Sequence, residues 1–343
     1  MRIDANIGGG IDGSDGGDLA DLHEQVAVVE RCGYDGAWST EVGRDPFLAP
    51  LLAATQAPSL TVGTAVAVAF ARSPMTTASS AYDVQSFSRG RFVLGLGTQI
   101  KAHIERRYSM PWSRPAARMT EYIAALHAIW ESWETGGRLD FRGDFYTHTL
   151  MTPMFSPAPH EWGRPPVMLA AVGPRMTEVA ASVADGLFVH GFTTERYLRE
   201  VTLPLVESAL AENGRTRADF TVVYPGMIAT GATEEHLDVA VAAVRHQLAF
   251  YGATPAYRPV LDLHGWGELH EELHRLSVAG RWSEMDALID ESVLTAFAVV
   301  GEPEQAAAEV RRRFGDVLDR FTLYAPYQLD PAVRARIVAG LTA

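Results

Sequence analysis

"TVGTAVAVAFARSP", residues 61–74, is the stretch on which the reading of this chain turns. From Val62 to Ala71 it carries no charge, and Thr64 holds its only hydroxyl. Gly63, Ala65, Ala67, Ala69 and Ala71 keep it thin, although strands usually favour β-branched or aromatic side chains. A strand of small residues lets another group approach its backbone closely, and a planar ring system is one such group. Tight packing against the following helix explains the same composition. Pro74 is suited to the first turn of that helix, where its missing N–H costs nothing.

Working outward from this strand, short apolar runs alternate with amphipathic segments. Residues 2–7, 34–40, 60–68 and 91–97 are expected as strands one to four, with helices at 19–32, 47–57 and 74–88 between and after them. Asp18 is the expected cap of the first helix, whose Leu19, Leu22, Val26 and Val29 share a face. A long helix over 115–133 follows, with Met119, Ile123, Leu126 and Trp130 on a buried face. Residues 136–160 are rich in turn formers and aromatics and are expected as an excursion containing a hairpin. Strands at 166–171, 186–190, 220–229 and 320–325 complete the set, with helices at 174–184, 195–212, 234–251, 303–314 and 331–341. The irregular part, 254–296, is expected to hold helices at 267–279 and 283–290.

Eight β-then-α units in order predict an α/β fold with a parallel sheet closed into a (β/α)8 TIM barrel. It would carry insertions after strand four and between strands seven and eight. A doubly wound sheet would place a G-x-G-x-x-G turn and a helix directly after strand one. That place holds "GGGIDGSDGG", residues 8–17, read as a loop. With no repeat and no dividing linker, residues 1–343 are expected to form a single barrel domain.

The chain has 343 residues, 47% of them hydrophobic, which is enough for a sizeable core without staples. Its single cysteine, Cys32, allows no internal disulfide and sits in an apolar helix pattern as a buried thiol. The formal charge of −13 argues against nucleic acid or an anionic membrane as partner. The start lacks a charged n-region followed by an apolar core, and no run reaches the length of a membrane span. A cytoplasmic location is therefore expected. No H-x-H or comparable spacing suggests a metal site.

Barrel chemistry sits where the strands end. Strand two exits at Glu41, a candidate general acid or base, or a rim carboxylate. Strand four exits through Gly95, Gly97, Thr98 and Gln99, and then Lys101, His103, Arg106 and Arg107 follow in an otherwise acidic chain. They read as an anion site or as a solvated loop. Strand five exits through Val172 and Gly173 into a helix beginning at Pro174. Bare backbone N–H groups at a helix start form a ready phosphate site, although such turns are also common connections.

Taken together, "GYDGAWSTE" (33–41), "VGTAVAVAFARSP" (62–74), "SRGRFVLGLGT" (88–98), "AAVGPRM" (170–176), "ADGLFVH" (184–190) and "FAVVGEPEQAAAEVRRRF" (297–314) resemble the luciferase-like monooxygenase superfamily, in the family's order. Among its branches the chain most resembles the oxidoreductases that use the deazaflavin coenzyme F420. The resemblance implies a barrel with an isoalloxazine-type ring over strand three and a non-proline cis peptide at Ala65–Val66. It implies cofactor contacts at Ala65, Val66 and Thr98, at the phosphate turn Val172, Gly173 and Met176, and at Thr193. It implies hydride transfer between the deazaflavin C5 and a small organic substrate, with 254–296 as a lid carrying Tyr257, His264 and Trp266. A homodimer through helices near strands two and three is also implied.

The chain departs from the family in three places. A histidine often follows the strand-two carboxylate, where Val42 stands. A glutamate follows the strand-four Thr-Gly pair in the sugar-phosphate dehydrogenases, where Ile100 stands. The arginine that flavin luciferases place at Thr98 is absent. The expected catalytic set is therefore Glu41 with Lys101 or His103. A reduced-FMN monooxygenase and a non-catalytic F420- or flavin-binding protein are the alternatives.

Overall fold

In the computed structural model, which describes residues 1–9 and 19–342, eight parallel strands succeed one another around a closed barrel. They are β1 (Arg2–Ile7), β2 (Gly36–Ser39), β3 (Thr61–Thr64, resuming at Ala67–Val68), β4 (Phe92–Gly97), β5 (Val167–Ala171), β6 (Gly186–Val189), β7 (Thr221–Ala229) and β8 (Arg320–Tyr324). Strand β8 returns to β1 with Arg2 opposite Arg320 and Asp4 opposite Thr322, which closes the TIM barrel. The outer helices are α1 (Leu22–Arg31), α2 (Leu48–Gln56), α3 (Pro74–Phe87), α4 (Pro115–Thr135), α5 (Pro174–Val183), α6 (Leu203–Glu212), α7 (Glu234–Gly252), α8 (Pro303–Phe314) and α9 (Pro331–Thr342). The expected cap at Asp18 and the loop beyond Gly9 lie outside the described residues.

The helix faces follow the apolar spacing. Helix α4 buries Met119, Tyr122, Ile123, Leu126, Ile129, Trp130 and Trp133, and stops at Gly136, whose positive φ of 69° suits a left-handed C-cap. Ser73 caps α3 by accepting the Thr76 N–H ahead of Pro74. The segment expected as one helix over 195–212 contains a π-turn at Leu198–Thr202 before α6. Pro204 stands just after it, and a proline cannot donate the backbone hydrogen bond that a regular ladder needs.

The two excursions differ from their expected outlines. Residues 136–160 hold a two-residue-per-strand hairpin, Phe141–Arg142 against Thr147–His148. The segment after α7 carries the expected helix at Gly267–Val278, preceded by a short one at Arg258–Leu263 that was not expected. The expected helix at 283–290 is instead two 3-10 turns, Trp282–Glu284 and Asp286–Leu288, followed by a helix at Glu291–Phe297. Asp290 caps that helix by accepting the Val293 N–H, which explains why it starts late. A short strand, Ala298–Val300, then extends the sheet beside β7, a pairing the sequence pattern did not announce.

Inside the barrel, Trp38, Val93, Met168, Phe188 and Val223 form a layer from five strands. Below it Arg320 holds Asp4 through two hydrogen bonds, with the guanidinium 5.1 Å from the Trp38 ring. Gly36 makes room for this pair, since a Cβ there would lie 2.5 Å from the Asp4 carboxylate.

Candidate active site

The barrel layer is the floor of a cavity of about 370 Å³ at the C-terminal ends of the strands. One wall is made by Ala65, Val66, Gly97, Thr98 and Gln99 with Ala170, Ala171 and Val172. The facing wall is made by His190, Tyr251, Tyr257 and Tyr324. Asn6, Thr40 and Thr322 add polar groups.

The thin wall arises where β3 breaks. The Ala65–Val66 peptide is cis, at the position counted from Pro74. Around it three backbone groups are tied down. The Ala65 N–H donates to the Ser39 carbonyl at 2.7 Å, and the Thr40 hydroxyl donates to the Ala65 carbonyl at 3.1 Å. The Glu41 N–H reaches the Val66 carbonyl at 3.3 Å. Thr64 bridges to β4 by donating to the Gly95 carbonyl and accepting its N–H. Pairing of this kind is what buried backbone requires.

The small residues divide into two groups. A Cβ at Gly63 would come within 2.7 Å of the Trp38 ring, and one at Gly95 within 1.9 Å of the Thr64 carbonyl oxygen. Those glycines serve packing inside the barrel. Ala65, Val66 and Gly97 instead border the cavity, and Gly97 also makes room for Val66, whose Cγ2 would lie 2.6 Å from a Cβ there.

Of the expected catalytic residues, none borders the cavity. Glu41 is buried, and its carboxylate accepts from the Val68 N–H at 2.7 Å, from Arg72 and from the Tyr108 hydroxyl at 3.1 Å. It holds the resumed half of β3 in place. Lys101 and His103 lie on a short helix, Lys101–Arg106, that the sequence pattern did not announce. Both are exposed, and Lys101 faces Glu105 at 3.9 Å. Of the expected cofactor contacts, Ala65, Val66, Thr98 and Val172 border the cavity. Gly173 and Met176 border an adjoining groove with Arg114 and Arg175 at the start of α5. Thr193 is buried, its hydroxyl has no partner among the described residues, and it does not reach the cavity wall.

The facing wall supplies what sequence reading missed. His190 directly follows β6, and its Nδ1 accepts the Phe192 N–H at 3.0 Å. Its Nε2 lies 3.0 Å from the Tyr257 hydroxyl, and the two rings stack at 4.3 Å. Burial lowers the His190 pKa to about 4 and pushes Tyr257 up to about 12. Tyr251 and Tyr324, whose hydroxyls lie 3.2 Å apart, are also raised by burial. These four groups are therefore uncharged at neutral pH and act as hydrogen-bond partners. His190 and Tyr324 stand at strand ends, where the strand-end rule could have found them. Tyr251 and Tyr257 reach the cavity from the end of α7 and the turn after it, where no such rule applies. His264 and Trp266 stack on each other at 4.5 Å, away from the cavity.

Fold and site together define a barrel protein with a flat-walled cavity at its strand exits and an amide-lined groove beside it. In sequence, residues 3–320 match the luciferase-like monooxygenase family, and the chain belongs to that family. An uncharacterized protein of Mycobacterium tuberculosis is 51% identical over 310 residues, covering 90% of this chain and 91% of that protein. The 5,10-methylenetetrahydromethanopterin reductase of Archaeoglobus fulgidus is 26% identical, covering 93% of this chain and 89% of the reductase. The solved coenzyme F420-dependent tetrahydromethanopterin reductase of Methanopyrus kandleri superposes with a TM-score of 0.78 at 19% identity, covering 99% of this chain and 97% of that one. Among the described residues no helix is long and apolar enough to cross a membrane, and no cluster of His, Cys, Asp or Glu is arranged to hold a metal ion.

Proposed function

We propose that this chain is an F420-dependent oxidoreductase that transfers hydride between the deazaflavin C5 and a small organic substrate. The observation that carries the reading is the asymmetric cavity. Its thin wall of Ala65, Val66 and Gly97 suits the face of a planar tricycle, and its opposite wall of neutral aromatic groups suits an uncharged substrate. Chemistry of the residues present fits the cofactor's remaining parts. Thr98 and Gln99 offer polar contacts at the ring edge. The turn Val172–Gly173 leads to the positive end of α5, where a Cβ added at Gly173 would meet nothing within 4 Å, so the backbone is open to an anionic tail. Met176 flanks that groove, and Arg175 adds a positive charge beside it. When bound, the reduced cofactor supplies the hydride; the protein binds, orients and handles protons.

In this reading Glu41 supports the thin wall through Val68. Lys101 and His103 stay at the mouth as contacts for an anionic tail. Residues 254–296 act as a lid on a single barrel unit, with Tyr257 at their leading edge. Exposed Leu48, Leu51 and Phe87 on α2 and α3 form the proposed homodimer face. The deciding experiment is isothermal titration with F420 and FMN side by side. Micromolar or tighter F420 binding with no FMN binding is expected. FMN binding alone would move the assignment to a reduced-flavin monooxygenase, and tight F420 binding without turnover on any carbonyl or alcohol would leave a cofactor-binding protein.

A further inference from the structure

A ring nitrogen that accepts a hydrogen bond carries no proton, so the Phe192 N–H leaves His190 Nδ1 bare. The imidazole is neutral near pH 7, so its one proton is on Nε2. That Nε2–H donates to the Tyr257 oxygen at 3.0 Å. The phenol's own hydrogen is then left over, and among the described residues nothing else accepts it. Tyr251 and Tyr324 share a single hydrogen bond, so one of those two hydroxyls also keeps a hydrogen, but neither oxygen accepts from an N–H among the described residues. Tyr257 borders the cavity, so the acceptor for its hydrogen is a molecule that enters there. Of these hydroxyls Tyr257 is the one whose oxygen is held by an N–H donor, which would stabilise its phenolate; Glu41 is engaged behind β3, and Lys101 and His103 lie outside.

We propose that Tyr257 is the proton donor of this site, presenting its O–H to the oxygen of a carbonyl-class substrate, with His190 as its positioning residue. The proposal rests on the hydride-transfer reading given above. Hydride from the reduced deazaflavin brings an electron pair to the carbonyl carbon, and the π pair moves onto oxygen. The Tyr257 O–H bond breaks as a new O–H bond forms on the substrate, giving an alcohol. The phenolate keeps the His190 Nε2–H bond until solvent returns a proton after the product leaves. An alkoxide is a stronger base than a phenolate, so the transfer runs downhill. Edge contact with Tyr251, 5.1 Å from the His190 ring, limits rotation of the donor pair.

The first test needs neither cofactor nor substrate. Nitrogen-15 NMR of the histidine-labelled full chain, with the His190 signals assigned by their loss in H190N, should show a bare Nδ1 and a protonated Nε2. The opposite tautomer overturns the proposal, because Tyr257 would then spend its hydrogen on Nε2. The second test follows single-turnover oxidation of reduced F420 by a panel of aldehydes and ketones. In Y257F the rate should fall about 10²- to 10³-fold while F420 affinity stays within twofold. H190Q, which keeps an N–H donor at the ε position, should retain far more rate than H190L. Unchanged turnover in Y257F would refute the donor role. Failure of the wild-type chain to bind F420 would instead refute the underlying cofactor reading, so the two failures are distinguishable.

Discussion

The two walls of the cavity are built in opposite ways. The thin wall, 64–68 with 97–99, is made of small side chains whose backbone is pinned by neighbours on β2 and β4. The facing wall is made of large rings, and two of them arrive from residues 251–257, after strand β7 has ended. The thin wall is a product of local sequence, and its shape depends on what is absent. The ring wall is a product of long-range packing, and its chemistry depends on which hydroxyl meets which nitrogen. The comparison teaches that the surface for a cofactor and the donors for a substrate come from separable parts of the chain.

Disturbing the packing between β3 and β4 that supports the thin wall should do the most damage. In Gly95→Ala the new methyl would stand 1.9 Å from the Thr64 carbonyl oxygen and 2.7 Å from the Phe188 ring. Backbone cannot yield there, so chemical denaturation should show a loss of about 3 kcal/mol or more. A loss below about 1 kcal/mol would mean that β3 and β4 are less tightly locked than their geometry indicates.

Glu41→Ala should come next. It strips the acceptor from the buried Val68 N–H and leaves Arg72 with Asp45 alone. A cost of about 2 kcal/mol is expected in denaturant unfolding, together with faster exchange of the Val68 amide. Unchanged exchange would remove Glu41 from its role in supporting the wall.

The ring wall should respond to pH. His190 stays neutral in the folded state down to about pH 4, whereas the ordinary imidazole value is 6.5. Between those values the unfolded chain binds the proton first, so stability is full above about pH 6.5 and declines as the pH falls toward 4. His127, also lowered to about 4 by burial, contributes in the same direction. Thermal unfolding of H190Q across this window should show a shallower decline, and an identical decline would contradict the burial of His190.

The smallest effect on stability should come from Gly173→Ala. Its φ of −108° suits any residue, and no neighbour lies near the added methyl. The melting transition should hold within about 0.5 kcal/mol, as for other surface changes. A weaker F420 affinity in this variant, measured by titration, would sharpen the assignment of the α5 turn to the anionic tail.

Much of the barrel was legible because its signals are local. Leu22, Val26 and Val29 share one helix face, Pro74 and Pro174 begin helices, and Gly136 ends one. The thin strand and its cis bond were reached from residues 61–74 and the family resemblance. The site was half legible. Ala65, Val66, Thr98 and Val172 occupy the cavity wall, while Glu41 turned inward because Val68, Arg72 and Tyr108 converge on it. No local pattern records that convergence, since the nearest of those partners is 27 residues away in sequence.

By itself, then, the sequence determined the alternation of elements, the barrel they close into and the small residues on one side of the cavity. These follow from periodicity, from proline and glycine geometry, and from the strand order that parallel connections impose. Only the tertiary structure decided that Trp38 and Phe188 fill the space beside Gly63 and Gly95, and that Tyr257 meets His190. Hydrogen bonds and ring contacts depend on distances in space, and residues 67 apart in sequence carry no mutual signal until the chain has folded around them.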